Sequence, residues 1–292
     1  MPLILRQVKG SKLTIPEMDG NLTYLENTAI APLTDTDAIN FVNTTNYSLS
    51  MLKTAMNNLV LNLKEANLWN KIDVIYPFRS DGINNTRGFQ IKFNLKDPQD
   101  SDTANRLTFA GGITYTAGGI MFNGINGYAN THYKPSDGNQ NSFHMSIYSL
   151  TNSNVTVNDI GSTDNPLTSG TAMLIRDASN NFSSRTNQFT SNSVSNQTSL
   201  GLYCTNRTAS NVVNLWRNTT KVVNATTAST TPNSFDIYIG ARNDGGTPSL
   251  FSAREYAFAT IGSGLTDDEY GNMALIVQKF LFDTGVIVYR YV

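Results

Sequence analysis

The spacing of the carboxylates indicates whether this chain could catalyse the hydrolysis of glycosides. Cleavage of a glycosidic bond needs two carboxylates flanking the bond, and on one strand face they would stand at alternate residues. Glu255 is followed at those positions by Ala257 and Ala259, and Glu17-x-Asp19 has no third carboxylate. No Gly-x-Ser-x-Gly motif occurs, although a Ser-His-Asp site stays open. We therefore predict that the chain is not an enzyme.

Residues that bind metals are sparse and separated. Cys204 is the sole cysteine, and His132 and His144 lie in different segments. Structural zinc sites need clustered Cys and His ligands, and calcium sites need a dense acidic cluster, neither of which is visible. We predict no metal and no cofactor, and we interpret Cys204 as a small buried residue of a strand.

Aromatic, amide and charged side chains in turn-rich segments could form a binding site. Rings can pack on the face of a sugar, and amides or carboxylates can hydrogen-bond its hydroxyl groups. The candidate ligand-binding residues are Asn126, Tyr128, His132 and Tyr133 in one segment, Arg242, Asn243 and Asp244 in a second, and Trp216 in a third. Three have structural alternatives, because Tyr128 and Trp216 could be core residues and Asp244 a turn residue.

The composition of the chain excludes several classes of partner. The formal net charge is -1 and charged residues make up 15% of the 292 positions, so no basic field attracts nucleic acid. No stretch approaches the ~20 apolar residues of a membrane-spanning helix, so we predict no membrane insertion. Asn, Thr and Ser are abundant, which suits β-rich surfaces and loops.

Short apolar runs separated by Gly, Asn, Ser and Thr dominate the chain after residue 66. They cover 88–95, 107–109, 142–149, 172–176, 200–204, 211–217, 221–224, 235–239 and 255–261. No helical pattern alternates with them, so an antiparallel sandwich or jelly roll is predicted. A helix follows, with Thr266 and Glu269 as its capping box and an apolar stripe that ends at Leu281. Residues 286–292 predict a closing strand.

A heptad-like apolar pattern precedes the strands. The candidate oligomerisation residues are Leu49, Leu52, Met56, Leu59 and Leu63. Asn46 takes the preceding slot, where a polar side chain can fix the register of a helix bundle. Two interpretations stay open: a seam between chains, or a helix packed on its own sheet. Because charged flanks typical of a two-stranded zipper are missing, we predict a homotrimer whose contacts concentrate in residues 1–66.

Several sequence blocks resemble bacteriophage proteins. Residues 9–21, KGSKLTIPEMDGN, resemble a short module of phage tail and fibre proteins. The blocks that resemble a concanavalin A-like domain of phage tail proteins are WNKIDVIYPF (69–78), FNLKDP (93–98), NGINGYANT (123–131), NRT (206–208) and FATIGSGLTD (258–267). They occur in order across most of residues 67–292.

The resemblance implies a fold, a location and partners. It implies a mainly β, antiparallel concanavalin A-like jelly-roll domain over 67–292, after an N-terminal segment, 1–66, with an extended arm and a helix for attachment and oligomerisation. The chain would be a structural component of a tailed-phage virion, a tail or head fibre or surface protein. It would contact other virion proteins through residues 1–66 and bind a host-surface glycan. The alternatives are a carbohydrate-active enzyme of the same fold and a purely architectural protein.

Overall fold

Two β-sheets form the framework of the part of the chain that the computed structural model describes, residues 32–82 and 87–287. The strands are β1 (Ile72–Tyr76), β2 (Thr108–Ala110), β3 (Ile113–Tyr115), β4 (Ile120–Phe122), β5 (Tyr128–Asn130), β6 (Phe143–Ser149), β7 (Ile160–Thr163), β8 (Gly170–Leu174), β9 (Asn181–Gln188), β10 (Asn192–Ser195), β11 (Gly201–Ala209), β12 (Val212–Arg217), β13 (Thr220–Ala225), β14 (Tyr238–Ile239), β15 (Arg242–Asp244), β16 (Thr247–Ser249) and β17 (Glu255–Gly262).

Nearly all strand pairs are antiparallel. The first sheet has the order β13–β12–β11–β6–β17–β4–β3, and β1 pairs with β17. The second sheet has the order β10–β9–β8–β7–β14–β5–β2, and β15 runs parallel to β7 and pairs with β16. The predicted fold class, a mainly β antiparallel sandwich with helical additions, is confirmed.

The two sheets share an apolar core because alternate residues of each strand point to the same side. Met145 and Ile147 of the first sheet lie in this core with Ile160, Met173 and Ile239 of the second. The residues between them in sequence point outward, so each sheet also has an outer face. What covers each outer face decides where a ligand can reach the sandwich.

Helices cover the outer face of the first sheet. In the described part of the chain the α-helices are α1 (Thr36–Thr45), α2 (Ser50–Glu65), α3 (Arg87–Ile91) and α4 (Asp267–Asp283). Of these, α1, α2 and α4 share a second apolar core with outward-facing residues of the first sheet such as Tyr148 and Phe258. The predicted capping box of α4 is present, because Thr266 Oγ1 accepts from the Glu269 amide at 3.3 Å and Glu269 Oε2 accepts from the Thr266 amide at 2.9 Å.

The predicted oligomerisation residues lie mostly inside the chain. Leu52, Met56, Leu59 and Leu63 are buried in the core between the helices and the first sheet, and Leu49 is 41% exposed. This is the arrangement that the interpretation of a helix packed on its own sheet requires. The homotrimer stays a prediction, and its contacts would have to involve residues other than these four.

Two local predictions differ from the structure. The apolar pattern around Asn46 is not one helix, because Asn46 takes a left-handed conformation at φ +53° and ends α1 before α2 begins. The predicted strand at 88–95 begins instead as the short helix α3. Residues of α1 and α2, which precede the predicted boundary at residue 66, pack with strands of the first sheet, and the division into domains stays a prediction.

Some predictions fall outside the described residues. These are the phage-like module at 9–21, the extended arm and most of the closing strand at 286–292. Among the helices that the structure describes, none combines the length and the apolar character needed to cross a membrane.

Candidate functional site

A row of outward-facing residues crosses the second sheet from β2 to β9. The strand register pairs Thr108 with Asn130, Asn130 with Tyr238, Tyr238 with Gly161, Gly161 with Ala172, and Ala172 with Arg185. We call this side of the second sheet the outer face. Gly161 and Ala172 are buried although they point outward, so the larger side chains on either side lie over them.

Two stacked tyrosines stand on the outer face. The ring centroids of Tyr128 and Tyr238 are 4.5 Å apart with an interplanar angle of 26°, and Phe251 lies 6.4 Å from Tyr128. Burial, followed by the proximity of Tyr128 and Asp236, raises the pKa of Tyr238 to about 12. Tyr238 is 8% exposed and Tyr128 is half-buried, so Tyr128 is the more accessible ring. Tyr128 therefore lies on the outer face and outside the core between the sheets.

An amide, a carboxylate and a histidine adjoin the tyrosines. Asn130 Nδ2 donates to Asp236 Oδ2 at 2.9 Å, and the His132 amide donates to Asn130 Oδ1 at 2.9 Å. The His132 ring lies between Thr108 Oγ1, 2.8 Å from Nε2, and Asp236 Oδ2, 3.8 Å from Nδ1. Asp102 Oδ1 also lies 3.4 Å from Nε2. This end of the outer face therefore presents both donors and acceptors.

An arginine–aspartate pair lies on β15, beside the row. Arg242 Nη2 donates to Asp244 Oδ2 at 2.8 Å, and Thr163 Oγ1 of β7 donates to Asp244 Oδ1 at 3.1 Å. Asn243 between them is buried and holds the turn, because its Oδ1 accepts from the Gly246 amide and its Nδ2 donates to the Asp236 carbonyl. Of this predicted segment, Arg242 and Asp244 remain as candidates for ligand contact.

Three other candidates lie elsewhere and have structural roles. Trp216 is 5% exposed and packs on Tyr270 of α4, with 4.4 Å between the ring centroids. It is therefore a core residue, which is the structural alternative that the sequence allowed. Tyr133 is buried and donates its hydroxyl to Asp73 Oδ2 at 2.9 Å, and burial raises its pKa well above the usual value. Asn126 Oδ1 accepts from the Gly112 amide at 3.1 Å within a turn.

Sequence reasoning missed several residues of the outer face. Tyr238 and Asp236 alternate with Ile237 and Ile239, a period-two signal that marks which residues point away from the core. Arg185 carries no such signal, because the polar run around it does not reveal which side of β9 is buried. Pairing of Ala172 with Arg185 places it on the outer face.

Other reactive groups of the described residues are engaged in the fold. Within residues 32–82 and 87–287, no three His, Cys, Asp or Glu side chains come together as a metal site. Glu255 Oε1 accepts from Thr116 Oγ1, and Glu269 serves the helix cap. Cys204 is buried in the first sheet, and burial raises the pKa of its thiol far above the usual range.

Comparison with known proteins gives similarities of fold. No protein-family model matches the sequence, and neither does any curated protein. Among solved structures, domain 4 of an extracellular GH43 arabinanase from Geobacillus stearothermophilus, in complex with arabinotriose, is 13% identical with a TM-score of 0.42, over 70% of this chain and 98% of that one. A Trypanosoma rangeli sialidase is 10% identical with a TM-score of 0.46, over 78% of this chain and 39% of that one.

The sialidases are longer proteins than this chain. For the NanB sialidase from Streptococcus pneumoniae, the identity is 11% and the TM-score 0.37, over 48% of this chain and 25% of that one.

The prediction that the chain is not an enzyme is contradicted by these similar structures, which are sialidases and a domain of an arabinanase. Similarity at these identities concerns the fold and assigns no reaction to this chain. The resemblance to phage proteins rests on the sequence blocks alone.

Proposed function

We propose that the outer face of the second sheet binds saccharides. The observation that carries the proposal is the stacked pair Tyr128 and Tyr238, with Asn130 and Asp236 beside it. The Arg242–Asp244 pair adjoins Asp236, because Asn243 between them donates to the Asp236 carbonyl. A pyranose ring has an apolar C–H face and hydroxyl groups that both donate and accept. A surface with an accessible ring, carboxylates and guanidinium groups complements that combination.

The polar groups near the rings are already held in position. Asp236 is fixed by Asn130, and Asp244 is fixed by Thr163 and Arg242. Groups held by the protein lose little conformational freedom when a ligand arrives, which favours binding. Each carboxylate retains lone pairs for a sugar hydroxyl, because a carboxylate can accept about four hydrogen bonds.

The test is binding of a panel of oligosaccharides to the full chain, measured by calorimetry after an array screen. We expect Tyr128→Ala to weaken binding by about fivefold, since an aromatic contact contributes about 1 kcal/mol. Leu275→Ala is the control, because Leu275 is exposed on α4, over the other sheet. Unchanged affinity of Tyr128→Ala, or no saccharide bound at millimolar concentration, would overturn the proposal.

Hydrolysis of an ester group carried by the bound saccharide is the second candidate function. His132 Nε2 lies 2.8 Å from the hydroxyl of the exposed Thr108, and Nδ1 lies 3.8 Å from Asp236 Oδ2. A hydroxyl, an imidazole and a carboxylate in this order form the arrangement of an activated nucleophile with its base. In this step the Thr108 hydroxyl would attack the ester carbonyl, the sugar hydroxyl would leave with the proton from His132, and water would then release the acid. Release of acetate from an acetylated oligosaccharide, lost in both Thr108→Val and His132→Ala, supports this function. Release that both variants retain would refute it.

We further propose a setting on a tailed-phage virion, as the sequence resemblance implies. The chain would be a fibre or surface protein that contacts other virion proteins through residues 1–66 and assembles as a homotrimer. Sedimentation of the full chain and of a chain lacking residues 1–31 tests the assembly, because residues 32–66 pack into the core and cannot be removed without exposing it. A full chain that sediments as a monomer at micromolar concentration would refute the trimer. Labelling of purified virions with an antibody against the chain tests the location.

A further inference from the structure

We propose that the outer face selects saccharides that carry a carboxylate, and that Arg185 is the residue that recognises this group. The inference rests on the proposed function and adds a ligand class to it. It depends on three observations about the outer face: the free donors of Arg185, the incomplete pairing of Arg242, and the contacts that place the two arginines around one spot.

Arg185 has most of its hydrogen-bonding groups free. Its Nε donates to the carbonyl of Phe189 at 2.9 Å, which fixes the plane of the guanidinium. Within residues 32–82 and 87–287, its two terminal nitrogens have no protein acceptor and no carboxylate lies within ion-pair distance. Two buried arginines of the same chain behave differently, because Arg207 and Arg254 use all three nitrogens on protein acceptors. Arg185 therefore presents an unoccupied two-nitrogen fork.

The hydrogen-bonding groups of Arg242 are only partly satisfied by the protein. Its Nη2 bonds Asp244, and its buried Nε has no hydrogen-bond partner. Burial, and then the charge of Arg242, lowers the pKa of Arg185, which agrees with two guanidinium groups held near each other. Asp244 pairs with Arg242, and among the described residues no carboxylate pairs with Arg185. An anionic ligand would reduce the repulsion between the two guanidinium groups.

Neighbouring contacts bring the two arginines to the same part of the outer face. A Cβ built on Gly170 of β8 would meet Arg185 Cδ at 2.9 Å and Thr163 Cγ2 at 3.1 Å, so both side chains converge above this glycine. Thr163 in turn donates to Asp244, which holds Arg242. The nearby Asp164 is engaged by Thr168 Oγ1 and the Ser169 amide of its own loop.

A carboxylate matches this geometry better than a neutral hydroxyl does. The planar guanidinium donates two parallel hydrogen bonds to the two oxygens of a carboxylate, and such charge-assisted pairs are stronger than neutral ones. Tyr128 on β5 and Arg185 on β9 are four strand-to-strand steps apart, about 19 Å between backbones. The accessible ring of Tyr128 would therefore contact one sugar of an oligosaccharide, and the fork of Arg185 would contact the carboxylate of another. Phe189, 54% exposed beside Arg185, adds apolar surface at that end. Uronic acids and sialic acids both carry the required group.

The experiment compares matched saccharides that differ only in charge. Oligomers of a uronic acid, sialylated oligosaccharides and the methyl esters of both are titrated into the full chain. We expect the acid of one of the two classes to bind roughly 10- to 100-fold more tightly than its ester, because the ester loses charge-assisted hydrogen bonds. Arg185→Gln should remove the preference and leave affinity for the ester unchanged. Arg185→Lys should retain part of it, since it keeps the charge without the fork.

The control separates recognition at this site from overall charge. Lys279→Gln removes one positive charge from α4, over the other sheet, and should leave the preference intact. Equal binding of acid and ester by the wild type, or a preference that Arg185→Gln retains, overturns the inference. If neutral saccharides bind through Tyr128 while acids bind no better, the proposed function stands and the carboxylate selectivity fails. If neither these saccharides nor any member of the wider oligosaccharide panel binds, both fail.

Discussion

A buried histidine makes the stability of the sandwich depend on pH. His144 of β6 is fully buried, with Nδ1 2.6 Å from the Ser263 carbonyl and Nε2 3.1 Å from Thr260 Oγ1. Burial lowers the pKa of His144 from 6.5 to about 4, against the opposing effect of the hydrogen bond to Ser263. The folded protein therefore holds this imidazole neutral at pH values where an exposed histidine would be protonated.

The direction and size of the effect follow from linkage. The unfolded chain takes up a proton at this residue as the pH falls below 6.5, and the folded chain does so only near pH 4. The contribution of His144 to stability is thus complete above pH 6.5 and is lost as the pH falls toward 4. Two pKa values separated in this way imply a loss of about 2 kcal/mol in the free energy of unfolding between pH 7 and pH 5, and about 3 kcal/mol by pH 4.

Urea unfolding of the wild type and of His144→Gln between pH 7 and pH 4.5 measures this loss. Glutamine stays neutral across this range, so the free energy of unfolding of the His144→Gln variant lacks the contribution of His144 to the pH dependence. Asp35 and Glu269, whose carboxyl pKa values are lowered by lysine and backbone hydrogen bonds that oppose burial, affect both proteins alike. The difference between wild type and variant should shrink by about 2 kcal/mol between pH 7 and pH 5. A constant difference across this range would refute the reasoning.

Three further changes test the helices and the site. Thr266→Ala should lower the free energy of unfolding by about 1 kcal/mol, measured by urea denaturation, because the cap of α4 with Glu269 is lost; equal stability would contradict a role for the cap. Gly170→Ala should push the flexible Arg185 side chain aside and lower the melting temperature modestly, because the added methyl group also meets the buried Thr163, and it should reduce any preference for acidic saccharides; a retained preference would contradict the assigned geometry. Leu59→Asp should unfold the chain instead of dissociating a folded trimer, because Leu59 is buried in the intrachain core, and circular dichroism would show the loss of β signal.

The sequence predicts the class of the fold well because that class depends on local signals. Runs of alternating residues, turn residues and the absence of alternating helices predict an antiparallel sandwich. The capping box at Thr266 is equally local, and the structure contains it. The periodicity from Leu52 to Leu63 is also a true helix signal, but an apolar stripe does not state whether its partner belongs to the same chain or another.

The candidate site is less accessible from sequence because strand pairing is non-local. Tyr128, His132, Arg242 and Asp244 come from predicted segments, and the structure places them on or beside the outer face. Arg185 joins them through the register of β9 on β8, which no spacing in the sequence reveals. A shift of that register by one residue would turn the side chain to the other face.

Two aromatic pairs show why residue type alone could not separate surface from core. The ring centroids of Trp216 and Tyr270 lie 4.4 Å apart with an interplanar angle of 30°, and those of Tyr128 and Tyr238 lie 4.5 Å apart at 26°, so the two contacts have similar dimensions. Trp216 points outward from the first sheet, but Tyr270 belongs to α4, so the helix that supplies the contact also closes the surface. Tyr128 and Tyr238 both come from strands of the second sheet, and the core that contains α1, α2 and α4 includes no residue of that sheet. The same ring contact therefore stabilises the helical layer on one side of the sandwich and supports a ligand-accessible ring on the other.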